Sequence, residues 1–248
     1  MQLSINSYLR AVAPLGRESD HIGPFVATCS PTTDNPYLNY AIPDDRAAPT
    51  RDEIQALVDW YLSRSRKPRL EYVTSESPAV EPALLGADFA IEGRLPVMVW
   101  DRDAPATPPP DGIEFVVPMS DEDLFGLMEV TAEAYDSPPP AAYDVKLTRW
   151  SLGHGTGAVV ARDEATGKVV AAGTFPPIVE GVTEIAAIGV ALAHRRRGVG
   201  QALARRLAEE ACARGASRPF LMAAHEPEAR IYLRAGFVVV GEILHISR

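Results

Sequence analysis

Three arginines and two glycines crowd one point of the chain, in HRRRGVGQAL at His194–Leu203. Arg195, Arg196 and Arg197 bring positive charge. Gly198 and Gly200 leave the backbone bare just ahead of a segment whose apolar residues recur at helical spacing. A helix N-terminus exposes unpaired N–H groups and the positive end of the macrodipole, so it is a natural seat for an anion. The chemistry implied is a pyrophosphate cradle; the plainer reading is a glycine-softened turn carrying solvated arginines. A dinucleotide-binding fold also places glycines between a strand and a helix. Its fingerprint, however, needs G-x-G-x-x-G and an acidic residue about 20 residues on. GVGQAL lacks the third glycine, and its surroundings do not follow a βαβαβ order.

The elements that must position this stretch are legible around it. VTEIAAIGVAL predicts a strand leading into the arginines, and Leu203, Leu207 and Ala211 give the following helix one apolar face until Gly215 stops it. Upstream, GIEFVVPMS predicts a strand. Ser120 with Asp123 can cap a helix bearing Leu124, Leu127 and Met128, and a second helix is expected near Tyr143–Trp150. GAVVARDEATGKVVAAGTF predicts a hairpin. Downstream, RPFLMAA predicts a strand, EPEARIYLRAG a short helix ending at Gly236, and FVVVGEILHI a closing strand. The order β-α-α-β-β-β-α-β-α-β is an α/β layer structure with a mixed, mostly antiparallel sheet flanked by helices and one crossover.

WDRDAPATPPPDG is rich in proline and acid without a period, which predicts an interdomain linker at 104–111 between domains 1–103 and 112–248. The chain has 248 residues, 46% of them apolar and 23% charged, an ordinary globular composition with no run long enough to span a membrane. A net charge of −9 argues against nucleic acid as a partner, since phosphate neutralisation needs a basic face. Cys29 and Cys212 are too few for a disulfide framework and sit in no metal-ligand spacing. The N-terminus lacks a basic flank, apolar run and cleavage site in order, so the expected location is the cytoplasm.

VALAHRRRGVGQALARRL resembles the acetyl-CoA signature of the GCN5-related N-acetyltransferases (GNAT), and EPEARIYLRAGFVVVGE resembles that family's C-terminal motif. Both occur in the family's order, and the resemblance covers 112–248. It implies a GNAT fold and acetyl-CoA as co-substrate, with no metal. It also implies that backbone groups of Ile188, Gly189 and Val190 take the pantetheine arm, as an added strand would take a sheet edge. Amides across Arg196, Arg197, Gly198, Val199, Gly200 and Gln201 would hold the pyrophosphate, with the Arg195 side chain alongside.

An alkylamine is mostly charged at neutral pH, so a general base is useful for acyl transfer to it. The resemblance gives that role to Glu184, eleven residues before Arg195, with His225 and Glu226 as the reserve candidates. It gives Tyr232, four residues before Gly236, the protonation of the departing thiolate. The family commonly has Asn seven residues before that tyrosine, binding the pantetheine amide. Here the position is His225, whose imidazole can donate one such bond.

The N-terminal part carries a fainter echo. LLGADFAIEGRLPVMV can be laid on YLRAGFVVVGEILHIS at an offset of 148, with Ala87, Phe89 and Gly93 opposite Ala235, Phe237 and Gly241. Thr50 and Glu53 predict a capping box for a helix burying Ile54, Leu57, Val58, Tyr61 and Leu62. The reading is a smaller, truncated GNAT-like domain, with Leu84 in the place of Tyr232 and no arginine-glycine stretch, hence no coenzyme of its own. The expected function is transfer of an acetyl group from acetyl-CoA to a primary amine, by direct attack in a ternary complex. The acceptor is a small molecule, cationic by preference, or a peptide, and the enzyme is a monomer or homodimer. The alternative is a CoA-binding sensor that has lost turnover.

Overall fold

The computed structural model describes residues 4–106 and 108–248. The chain divides into two compact units, one of residues 1–97 with 240–248 and the other of residues 98–239. The sequence suggested one break at 104–111 instead. The last nine residues count with the first unit because they pair there, from Ile243↔Val73 to Ser247↔Arg69, a long-range choice that local pattern cannot encode.

The first unit runs α1 (Ile5–Val12), β1 (Glu18–Ile22), β2 (Phe25–Cys29), β3 (Tyr40–Pro43), α2 (Arg51–Leu62), β4 (Arg69–Val73), α3 (Val80–Leu85) and β5 (Ala90–Trp100), whose end passes into the second unit. β1, β2 and β3 pair antiparallel in succession, whereas β3 and β4, joined through α2, pair parallel. Thr50 and Glu53 form the expected capping box of α2. Ile54, Leu57, Val58 and Tyr61 are buried, but Leu62 is exposed: it lies at the helix's last turn, beyond the buried stripe. Arg69, only 2% exposed, is held by Glu71 and Glu92. Burial pushes the Glu92 carboxyl up, but hydrogen bonds from Lys67, Ser247 and Arg69 outweigh it and hold the group down to about 2.

The second unit runs β6 (Ile113–Val116), α4 (Asp121–Ala134), α5 (Ala142–Gly153), β7 (Gly157–Asp163), β8 (Val169–Phe175), β9 (Val182–Glu184), β10 (Ala186–Val190), α6 (Val199–Ala213), β11 (Arg218–Met222), α7 (Glu226–Ala235) and the start of β12 (Phe237–Ser247). Its four-stranded sheet has the order β10-β8-β7-β6 and is antiparallel throughout, while β9 pairs parallel with β11. Helix α6 buries Leu203, Ala204, Leu207, Ala208 and Ala211, the face expected from the sequence. Burial of each leucine contributes about 1.5–3 kcal/mol. Met98, Trp100, Val159, Ala171, Phe175, Leu221 and Phe237 join the same core.

The proline-rich stretch is fastened along its described part. Arg205 of α6 donates to the carbonyls of Pro105 at 2.7 Å and Ala104 at 3.3 Å, and Arg102 donates to the Ala216 carbonyl. Prolines offer no N–H of their own for a ladder, so free carbonyls attract a long cationic side chain.

Candidate active site

The segment expected as one strand, VTEIAAIGV, splits. β9 stays with β11, and the Ile185 N–H donates to the Phe220 carbonyl at 2.6 Å; β10 then turns away to pair with β8, with a register shift between Ala186 and Gly189. Ala187 takes φ 53° at this point, a left-handed conformation that costs an L-residue about 1–2 kcal/mol. The result is a splayed sheet with β10 as the edge of its four strands. The Tyr135 hydroxyl reaches the edge carbonyl of Ile188 at 3.4 Å.

After β10 a short 3-10 turn at Leu192–His194 leads into the arginine-glycine turn. Arg196 has φ 62° and Gly198 φ 80°, two left-handed residues that curl the backbone before α6. Gly198 is the N-cap residue, and no side chain caps the helix. Its first N–H groups therefore open toward a cavity of about 730 Å³, the site's central feature.

That cavity brings together nine of the eleven residues expected to bind coenzyme: Ile188 and Val190 along β10; Arg195, Arg196, Gly198, Val199, Gly200 and Gln201 at the turn; and His225 opposite. Gly189 and Arg197 do not line it. Strand alternation turns Gly189 to the other side of β10, where a Cβ would stand 3.0 Å from the Ala134 Cβ and 3.1 Å from the Val130 carbonyl of α4. Arg197 is exposed. The wall is held by bonds among its own residues. Arg195 Nε donates to the Val190 carbonyl at 2.9 Å, and the Gln201 amide donates to the Arg234 carbonyl at 3.1 Å.

Tyr232 lines the same cavity, projecting from α7. His225 is the N-cap of that helix, and its Nδ1 accepts the Glu228 N–H at 3.2 Å. An accepting Nδ1 leaves the hydrogen of the neutral ring on Nε2, so the imidazole keeps one donor. The Tyr232 hydroxyl donates to Glu228 Oε1 at 2.9 Å, and the Ala224 N–H donates to Glu228 Oε2 at 2.5 Å. Burial first, and then the negative Glu228, push the Tyr232 phenol well above its ordinary range. Around Tyr135, burial followed by the charges of Glu228 and Glu184 raises that phenol too. Glu184 is not part of the cavity lining; it sits on β9 opposite Phe220, half-buried and within electrostatic reach of Tyr135.

Four groups at the site escaped the sequence reading. Glu228 reads as an ordinary first-turn acid, and only its spacing of three from His225 and four from Tyr232 marked it. Tyr135 ends α4 far from both motifs. His194 lines the cavity with Nε2 3.5 Å from Asp163, and Arg234 lines it from the last turn of α7.

Residues 124–237 match the model of the acetyltransferase (GNAT) family. This segment is a GNAT acetyltransferase domain. The family generally uses acetyl-CoA, and the match supports N-acetyl transfer as the general activity. The chain shares the GNAT fold with many solved structures. A GCN5-related N-acetyltransferase from Kribbella flavida aligns with TM-score 0.78 at 22% identity, covering 99% of this chain and 96% of its own. One from Sphaerobacter thermophilus gives 0.66 at 17% identity, covering 91% of this chain and 80% of its own. A tandem GNAT protein from the clavulanic acid biosynthesis pathway gives 0.60 at 14% identity, over 96% of this chain and 85% of its own. No curated protein matches the sequence. Among the described residues no helix is long and apolar enough to cross a membrane.

Proposed function

We propose that the chain transfers an acetyl group from acetyl-CoA to the primary amine of a small molecule, by direct attack within a ternary complex. The observation that carries this reading is the uncapped start of α6. There, left-handed Gly198 and the flanking Arg195 and Arg196 face a cavity that Tyr232 also lines. Diphosphate oxygens would take the free amides, and the arginines would balance their charge. The pantetheine arm would run past Ile188 and Val190, bringing the thioester toward Tyr232. The His225 Nε2–H replaces the side-chain amide that relatives offer to the arm.

Glu184 is the base that frees the amine, working through water, and Tyr232 supplies the thiol's proton. The acceptor is a small cationic amine, drawn by the acidic charge balance and by the carboxylates of Glu184 and Glu228 around Tyr135. The first unit is a shortened GNAT-like copy. Its β1-β2-β3-α2-β4-α3-β5 order repeats β7-β8-β9/β10-α6-β11-α7-β12, and its own α2 cap leaves no place for coenzyme.

Thiol release from acetyl-CoA across a panel of primary amines tests the reading. Turnover with at least one amine is the expected result. A second reading, a CoA sensor without catalysis, draws on the Tyr232 hydroxyl being already engaged by Glu228. Tight CoA uptake with no transfer to any amine would favour it.

A further inference from the structure

We propose that Glu228 is a second proton-handling carboxylate of this site, relaying a proton from the acceptor nitrogen through Tyr232 to the departing thiol; this rests on the transferase reading above. Three observations on α7 converge on it. Glu228 lines the same cavity as the arginine-glycine turn. Both its oxygens are committed to fixed donors, Oε1 to the Tyr232 hydroxyl and Oε2 to the Ala224 N–H, while its own N–H is capped by His225. Its neighbour Glu226 pairs with Arg230, whereas Glu228 makes no ion pair among the described residues. A carboxylate so placed is oriented without being neutralised, which suits proton transfer better than structural pairing.

The geometry also poses a difficulty that the relay resolves. While Glu228 is ionised, the Tyr232 hydrogen points at Oε1, and the adjacent negative charge makes the phenol a reluctant acid. Tyr232 cannot serve the sulfur until Glu228 gains a proton. The acceptor nitrogen has one to give. After Glu184 has taken the first proton of the ammonium, the nitrogen lone pair forms the new C–N bond and the carbonyl π pair moves to oxygen. The nitrogen, now positive, loses its second proton to Glu228. When the carbonyl re-forms, the C–S bond breaks and its electron pair stays on sulfur. The Tyr232 proton moves to that sulfur and the Glu228 proton moves to the phenol oxygen. The products are amide and thiol. Glu228 and Tyr232 return to their starting states, and one proton leaves to water through Glu184.

The test compares wild type, Glu228→Gln, Tyr232→Phe and the double variant, with Glu228→Ala as a second probe should the glutamine distort α7. CoA uptake by calorimetry serves as the control for folding and for the coenzyme site, and is expected to be equal in all. Turnover of acetyl-CoA with the most reactive amine of the panel should fall about 10²- to 10⁴-fold in each single variant. The double variant should lose no more than the worse single one, because both act on one proton. Multiplicative losses would overturn the relay while leaving the coenzyme site standing. Wild type that binds CoA yet acetylates no amine would remove the transferase reading and the relay with it.

Discussion

Helices α2 and α6 occupy the same place in the element order of their units, each crossing over between two parallel strands, yet their N-termini are finished in opposite ways. In α2 the protein caps itself. Thr50 Oγ1 accepts the Glu53 N–H at 3.3 Å, and the Glu53 carboxylate accepts the Thr50 N–H at 2.7 Å, which together with the Thr50 hydroxyl holds that carboxyl below its usual range. In α6 the cap is left-handed Gly198, with no side-chain acceptor and an open cavity in front. A capping side chain and a bound anion compete for the same backbone donors. A helix whose N-terminal donors are filled locally has none left for an anion; one whose donors stay open gives up some helix stability and keeps them free to take one. The α3 and α7 helices extend the contrast: at the 148-residue offset, fully buried Leu84 of α3 falls opposite Tyr232 of α7, whose hydroxyl bonds Glu228.

The largest effect should come from giving α6 a carboxylate of its own. Gly198→Glu forces a side chain onto φ 80°, costing about 1–2 kcal/mol, and places negative charge where diphosphate would lie. CoA affinity should fall about 100-fold or more by calorimetry, with circular dichroism unchanged. Next is the chemistry proposed for the second unit: Tyr232→Phe should lower kcat by about 10²–10⁴ and leave CoA affinity as it was. An equal loss in both would refute the acid role.

The first unit should answer in stability instead. Arg69→Met leaves Glu71 and Glu92 without their buried partner, so denaturant unfolding should register a loss of about 3–5 kcal/mol, with no change in CoA affinity for whatever fraction remains folded. Smallest is the cap itself. Thr50→Ala should cost about 1 kcal/mol and leave turnover untouched, and any gain or loss of CoA binding there would erase the contrast between the two helices.

Much of this was legible because short-range chemistry decides it. The capping boxes at Thr50 and Ser120 and the helix stops at Gly215 and Gly236 are local events, and each appears where the residue types placed it. The arginine-glycine turn likewise announced an uncapped helix start. What sequence pattern missed was decided by distant partners. Nothing in VTEIAAIGV marks a break, with neither proline nor a glycine at Ala187. The split follows from the Phe220 carbonyl capturing the Ile185 N–H while Gly189 and Val190 return to β8. Gly189 stays outside the cavity lining because alternation along β10 turns the side that would carry a Cβ against α4; the contact expected of it is through backbone groups, which alternation does not redirect. Glu228 stayed hidden because an acid in the first turn of a helix is common for dipole reasons alone. Its second role exists only through Tyr232.

The central claim is that the open amides at the start of α6 grip a diphosphate. Titrating the folded wild-type protein with CoA, and separately with pantetheine that lacks the diphosphate, tests it most directly. The account predicts saturable heat with CoA at micromolar concentrations (about 10⁻⁶ M), a large loss of affinity for pantetheine, and a comparable loss for CoA in Gly198→Glu. Equal affinity for CoA and pantetheine, or no uptake of CoA by folded protein at about 10⁻³ M, would contradict it.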